Sequence, residues 1–173
     1  TTTTEAIPVL EAIAEAALAH LSPMVDLAHA DVLLFHFDTK ELSILATHSD
    51  HTDAIAAKDW RAPLDGDWSD QIRRLSDGHA ILIEDVADLD DQDTLLGVLE
   101  EEGVRALIRQ PLRYEGELVG VLELGRRMPG AAPPQAMALT RELADQLAIA
   151  LQQARLHEEV QDHAERLERR VAW

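Results

Sequence analysis

His48-Ser49-Asp50-His51, with Asp53 close behind, sets two imidazoles and two carboxylates in one short segment, and each group is a competent ligand for a divalent metal. Such spacing arises readily in polar loops and no further ligand pair accompanies it, so no metal is assigned. Arg105, Arg109 and Arg113 recur at every fourth position, which places them on one face of a strand. There they could hold an anionic ligand, but ion pairing at the surface of an acidic chain is the expected role. Trp60 and Trp68 bracket a polar segment and could wall a small-molecule pocket; covering the edge of the core is the expectation. His157-Glu158 begins like a metalloprotease helix, but Gln161 stands where the second histidine is required. No acid, base and nucleophile set emerges, so this segment is expected not to be an enzyme.

Composition narrows the chemistry further. Cysteine is absent, which removes disulfides, thiolate metal sites, a cysteine nucleophile and any thioether-linked cofactor. With 33 acidic residues against 15 Lys and Arg, the formal net charge is -18. That field repels nucleic acid and anionic lipid, and no nucleic-acid partner is expected. Apolar stretches such as Val32 to Phe35 fall far short of the roughly 20 residues of a membrane helix. Thr1-Thr2-Thr3-Thr4-Glu5 lacks the basic and apolar regions of a signal peptide, so no membrane insertion and a cytoplasmic location are expected. At 173 residues the chain fits one domain.

The elements that must position these residues follow from periodicity. Ile7, Leu10, Ile13, Ala14, Ala17, Leu18 and Leu21 form one helical stripe, interrupted at Ser22-Pro23 before a brief resumption through Met24, Val25 and Leu27. Val32–Phe37 and Leu42–His48 read as a hairpin turning through Asp38-Thr39-Lys40-Glu41. Residues 49–68 have no clean period and read as a long loop. A short helix over 69–76 ends at Gly78 in a left-handed cap, a strand follows over 80–83, and a helix over 90–102 starts behind acidic residues. Val104–Leu112 and Leu118–Leu124 form a second hairpin through Gly116. The last strand is apolar on both faces and central, with Gly120 allowing close backbone approach. The connector 128–134, rich in Pro and Gly, precedes a long helix from Gln135, whose inner stripe is Leu139, Leu143, Leu147, Ala150, Leu151 and Ala154. Leu156, Val160, His163 and Leu167 then repeat at four, three and four, the spacing of a coiled coil.

Three segments carry a family resemblance. Gly103-Val104-Arg105-Ala106-Leu107-Ile108-Arg109-Gln110-Pro111-Leu112 followed by Gly116-Glu117-Leu118-Val119-Gly120-Val121-Leu122-Glu123-Leu124 resembles the characteristic hairpin of GAF domains. Asp77-Gly78-His79-Ala80-Ile81-Leu82-Ile83-Glu84-Asp85-Val86 resembles the family's glycine, short strand and Asp-Val segment, and 143–156 resembles its closing helix. The resemblance implies an α+β, PAS-related fold: a central antiparallel sheet of five to six strands flanked by helices, with long N- and C-terminal helices on one face. It divides the chain into an N-terminal helical segment (1–30), the sensory domain (31–155, its closing helix beginning near 135) and the start of a signalling helix (156–173).

The family also implies function. The tail resembles the helix that joins sensory domains to histidine kinases, and occurs before other outputs such as diguanylate cyclases. His163 lacks a phospho-acceptor context, and the sequence reaches Trp173 before any nucleotide or cyclase motif, so the output is expected elsewhere. By resemblance the ligand-pocket candidates are Trp60, Trp68, His48, His51, His79, Asp85 and Arg109, and the dimer-helix candidates Leu156, Val160, His163 and Leu167. The expected partners are a second copy, met through the terminal helices, and an unidentified small molecule; the alternative is a dimerising scaffold that binds none. The Asn-Lys and Asp-Glu pattern of cyclic-nucleotide binders does not occur. Without cysteine, neither covalent bilin attachment nor the family's methionine sulfoxide chemistry is available. No cofactor is expected; haem, for which His36, His48, His51 and His79 are the family's candidate ligand types, is not assigned.

Overall fold

The structure, a computed structural model, describes residues 2–20, 27–49, 60–89 and 93–171. Helix α1 (Thr2–Ala19) leads into strands β1 (Leu27–His36), β2 (Glu41–Ser49) and β3 (Arg61–Pro63). Helix α2 (Trp68–Ser76), strand β4 (Ile81–Ile83), a 3₁₀ turn over Val86–Asp88 and helix α3 (Thr94–Glu101) follow. Strands β5 (Ala106–Tyr114) and β6 (Glu117–Arg126) and helix α4 (Pro134–Val171) complete the chain. The strands form one antiparallel sheet in the order β3-β2-β1-β6-β5-β4, the α+β architecture expected from the sequence. No helix among the described residues is long and apolar enough to cross a membrane.

Three readings need correction. Leu27 belongs to β1, which starts five residues earlier than Val32, because pairing with Arg126 and Gly125 of β6 draws Leu27 and His29 into the sheet. Met24, Val25 and the rest of the expected helical resumption lie outside the described residues. Within the supposed loop, Arg61–Pro63 pairs with Glu41–Ser43 as an edge strand; at three residues it is too short to show a period. Helix α3 begins at Thr94 with Asp93 as N-cap, its carboxylate accepting from the Leu96 amide at 2.8 Å.

The sheet has two covered faces. Under α1 and α4 lie Ala30, Val32, Ile108, Leu112, Leu122 and Leu124, packed against Leu10, Ala14, Leu18, Leu143, Leu147 and Leu151. Ala14, Ala144 and Ala148 are small enough to let both helices lie close to the strands. Under α2 and α3 lie Leu33, Phe35, Leu107 and Val121, packed against Trp68, Leu75, Leu95 and Leu99. Each buried leucine contributes about 1.5–3 kcal/mol relative to exposure.

Strand β6 sits between β1 and β5, and the helices on either side of the sheet bury both its faces from Gly120 to Arg126, as its largely apolar sequence requires. A Cβ at Gly120 would lie 2.1 Å from the Leu33 carbonyl oxygen, so only glycine fits this crossing of β1 and β6. The β5–β6 turn uses Glu115 and Gly116 with φ 51° and 83°, two left-handed residues that match the twist of the hairpin.

Helix α4 runs 38 residues without interruption, about 57 Å at 1.5 Å per residue. Its first part buries Thr140, Leu143, Ala144, Leu147, Ala148 and Leu151. Beyond Arg155 the helix leaves the sheet, and Leu156, Val160, Leu167 and Val171 stand exposed.

Candidate functional site

The α2–α3 face is not wholly apolar. His29 and Asp31 on β1, Glu123 on β6 and Arg109 on β5 are all buried. The register explains the alignment: Asp31 is opposite Glu123, and Glu123 is opposite Arg109, so three adjacent central strands carry a continuous charged row. Alternation sends the intervening Ala30, Val32, Ile108, Leu122 and Leu124 to the other face.

Arg109 is the hub. Its Nε donates to Glu123 Oε2 at 2.6 Å, and its Nη1 donates to Gln71 Oε1 at 2.6 Å and approaches Asp93 Oδ2 at 3.3 Å. Its guanidinium carbon lies 4.1 Å from the centroid of the Trp68 ring, a cation–π contact. Trp68 and Gln71 come from α2, and Asp93 caps α3, so one side chain joins two strands to both covering helices. At the other end of the row His29 Nε2 lies 2.5 Å from Asp31 Oδ2.

With water excluded, charge is expensive unless paired. The row holds three carboxylates, Asp31, Asp93 and Glu123, against Arg109 and the imidazole of His29. Burial pushes the Glu123 carboxyl up to about 7; the Arg109 guanidinium opposes this, and the Asp31 charge adds to it. Burial alone would lower the His29 pKa, but its bond to Asp31 and the charges of Asp31, Glu123 and Glu102 outweigh burial and raise it.

The sequence-derived candidates separate. Trp68 and Arg109 meet in the row, and Trp60 is half-buried against the same apolar cluster. His48 is exposed on β2 and His79 is exposed after α2. Asp85 caps the 3₁₀ turn through the Ala87 amide at 3.1 Å and pairs with Arg105 at 3.1 Å. The Arg105 bond holds its carboxyl below the ordinary range. His51 and Asp53 lie outside the described residues. His36 is half-buried and bonds Ser43 Oγ at 2.7 Å; burial and the charge of Arg61 lower its pKa. Among the described residues no three His, Asp or Glu side chains gather into a set that could hold a metal.

The surface role expected for Arg109 is wrong: it is wholly buried, and its partners are internal acids. Nor do the three arginines act as one face, because Arg105 precedes β5 and the register shifts between Leu112 and Arg113. His29, Asp31, Gln71, Asp93 and Glu123 escaped sequence reasoning. Glu123 did leave a signal: it is a lone carboxylate inside an apolar strand, and a central strand cannot hide one without a partner, whereas Asp31 precedes the strand read from Val32.

The arrangement of four α-helices and six strands among the described residues is shared with known structures. A model of the GAF domain family matches residues 9–152. A search of curated proteins gives no match. A domain assigned to a two-component sensor histidine kinase of Sinorhizobium meliloti 1021 superposes with a TM-score of 0.65 at 23% identity, over 84% of this chain and 92% of that one. The GAF domain of a two-component sensor histidine kinase from Bacillus halodurans gives 0.68 at 18%, over 84% and 95%. The blue-light absorbing form of the Thermosynechococcus elongatus PixJ GAF domain gives 0.68 at 17%, over 95% and 94%. At these identities the structures share a fold, while the family model spans most of the sequence, and on that match the chain belongs to the GAF domain family.

Proposed function

We propose that this GAF domain is a regulatory input module of a bacterial signal-transduction protein, of the kind sensor histidine kinases carry, and not an enzyme. It works in the cytoplasm as a homodimer and relays its state through α4. The observation that carries this reading is the division of α4: one unbroken helix is packed on the sheet in its first half and bare in its second. The exposed Leu156, Val160 and Leu167, with His163 between them, keep the spacing of a coiled-coil seam, and two copies in parallel would cover them. Analytical ultracentrifugation tests it. The intact chain is expected to be dimeric, with Val160→Glu or removal of residues 156–173 giving monomers; an intact chain that stays monomeric at high concentration overturns the reading.

A small-molecule signal is the family's other expectation. Its entry between the sheet and α2 would have to displace Trp68 or Arg109, since those side chains fill that space themselves. This packing favours the second reading, a dimerising scaffold that holds no ligand. Native mass spectrometry of gently purified protein separates the two, because a retained small molecule contradicts the scaffold.

A further inference from the structure

Asp31 and Glu123 face each other across β1 and β6, and cross-strand partners of this kind have Cβ atoms about 4.5–5.5 Å apart. Both side chains are fully buried. Each commits one oxygen, Asp31 Oδ2 to His29 and Glu123 Oε2 to Arg109. The second oxygen of each, Asp31 Oδ1 and Glu123 Oε1, is buried and has no hydrogen-bond partner among the described residues. Two unpartnered acceptors on neighbouring carboxylates are costly twice over, through lost hydrogen bonds and through like-charge repulsion. One proton between them removes both penalties: it turns one oxygen into a donor and leaves the other as its acceptor.

We propose that Asp31 and Glu123 share a single proton, and that its presence keeps α2 and the first turn of α3 closed over the sheet. The groups around the pair support this. His29 faces it from β1, Arg109 from β5, Asp93 from the α3 N-cap and Glu102 from the α3 C-cap, while α2 contributes only the neutral Gln71 and Trp68. With the proton held, Arg109 and His29 are set against Asp31, Asp93 and the more distant, half-buried Glu102, so the cluster has no spare cation. Release of the proton to solvent leaves an extra negative charge where water cannot reach. Water can relieve that charge only by parting the sheet from its cover. Arg109 transmits the change, since the same guanidinium binds Glu123, Gln71 and the Asp93 cap. Burial and the Asp31 charge, opposed by Arg109, place the Glu123 proton's release at about 7.

Infrared difference spectra of the intact chain between about pH 5.5 and pH 8.5 provide the test, together with hydrogen exchange at the Leu96 amide. The expected result is a buried protonated-carboxyl band that disappears as pH rises through neutrality, with Leu96 protection falling over the same range. Glu123→Gln keeps the side-chain shape and lets its amide donate to Asp31, so it is expected to remove the band and hold Leu96 protected at both pH values. A spectrum of the unmodified chain with no such band overturns the proposal, and so does a Glu123→Gln chain that still opens as pH rises. Should that variant fail to fold, Asp31→Asn removes the pair from the other side and is expected to abolish the same band; a band that survives it overturns the proposal equally.

Discussion

Under α1 and α4 the sheet presents leucine, valine and alanine to two long helices, whereas under α2 and α3 the same three central strands present Asp31, Glu123 and Arg109. The first face depends mainly on shape: among the described residues its buried side-chain link is Gln110 to Thr140, at 3.3 Å. The second needs stoichiometry, because each charge there depends on its neighbour's. Apolar burial is non-directional and tolerates repacking, while a desolvated ionic row fails when a single member is lost. One face is therefore suited to holding α4 steadily, and the other to changing state.

Removing the hub should give the largest effect. Arg109→Met leaves Glu123 and Asp93 buried without their cation and is expected to cost about 3–5 kcal/mol, measured by urea unfolding. Arg109→Met combined with Glu123→Leu should recover part of that loss, and a single substitution costing under about 1 kcal/mol would show that the row is not desolvated. On the apolar face, Leu147→Ala is expected to cost about 2–5 kcal/mol by leaving a cavity and to leave the pH dependence of stability unchanged. If it alters that dependence, the two faces are not independent.

A smaller effect follows from titration. Glu123 binds its proton more tightly in the folded chain, at about 7 against an ordinary 4.5. Its contribution is therefore complete below about pH 4.5 and is lost as pH rises through about 7. His29, also raised, adds in the same sense: its contribution is complete below 6.5 and fades as pH climbs through the raised value. Asp85 runs oppositely, since its lowered pKa gives a contribution lost on acidification. Thermal unfolding should accordingly show Glu123→Gln gaining on the parent chain as pH increases from about 5.5 to 8.5. The smallest change is expected for Arg105→Ala, which breaks a partly exposed pair with Asp85 and should cost no more than about 1 kcal/mol.

Periodicity made the framework legible. The stripe of α1, the two hairpins, the Gly78 cap and the close approach at Gly120 all lie in local patterns of apolar residues and glycines. Strand β3 escaped because three residues carry no period, and the start of β1 escaped because Ala28-His29-Ala30 has little strand preference of its own. The charged row escaped for a different reason. Arg109 and Glu123 are 14 residues apart and Arg109 and Gln71 are 38 apart, so their meeting is fixed by strand register and helix placement. Trp68 and Arg109 were both singled out, yet nothing local shows that one lies on the other.

The unbroken course of α4 makes it a lever arm. Residues 156–171 continue about 24 Å beyond the sheet at 1.5 Å per residue. A tilt of about 10° where the helix leaves Leu151 and Ala154 would thus sweep its last turn sideways by about 4 Å, nearly the pitch of one helical turn. Because no glycine or proline interrupts α4 after Pro134, there is no joint along that arm to absorb the motion.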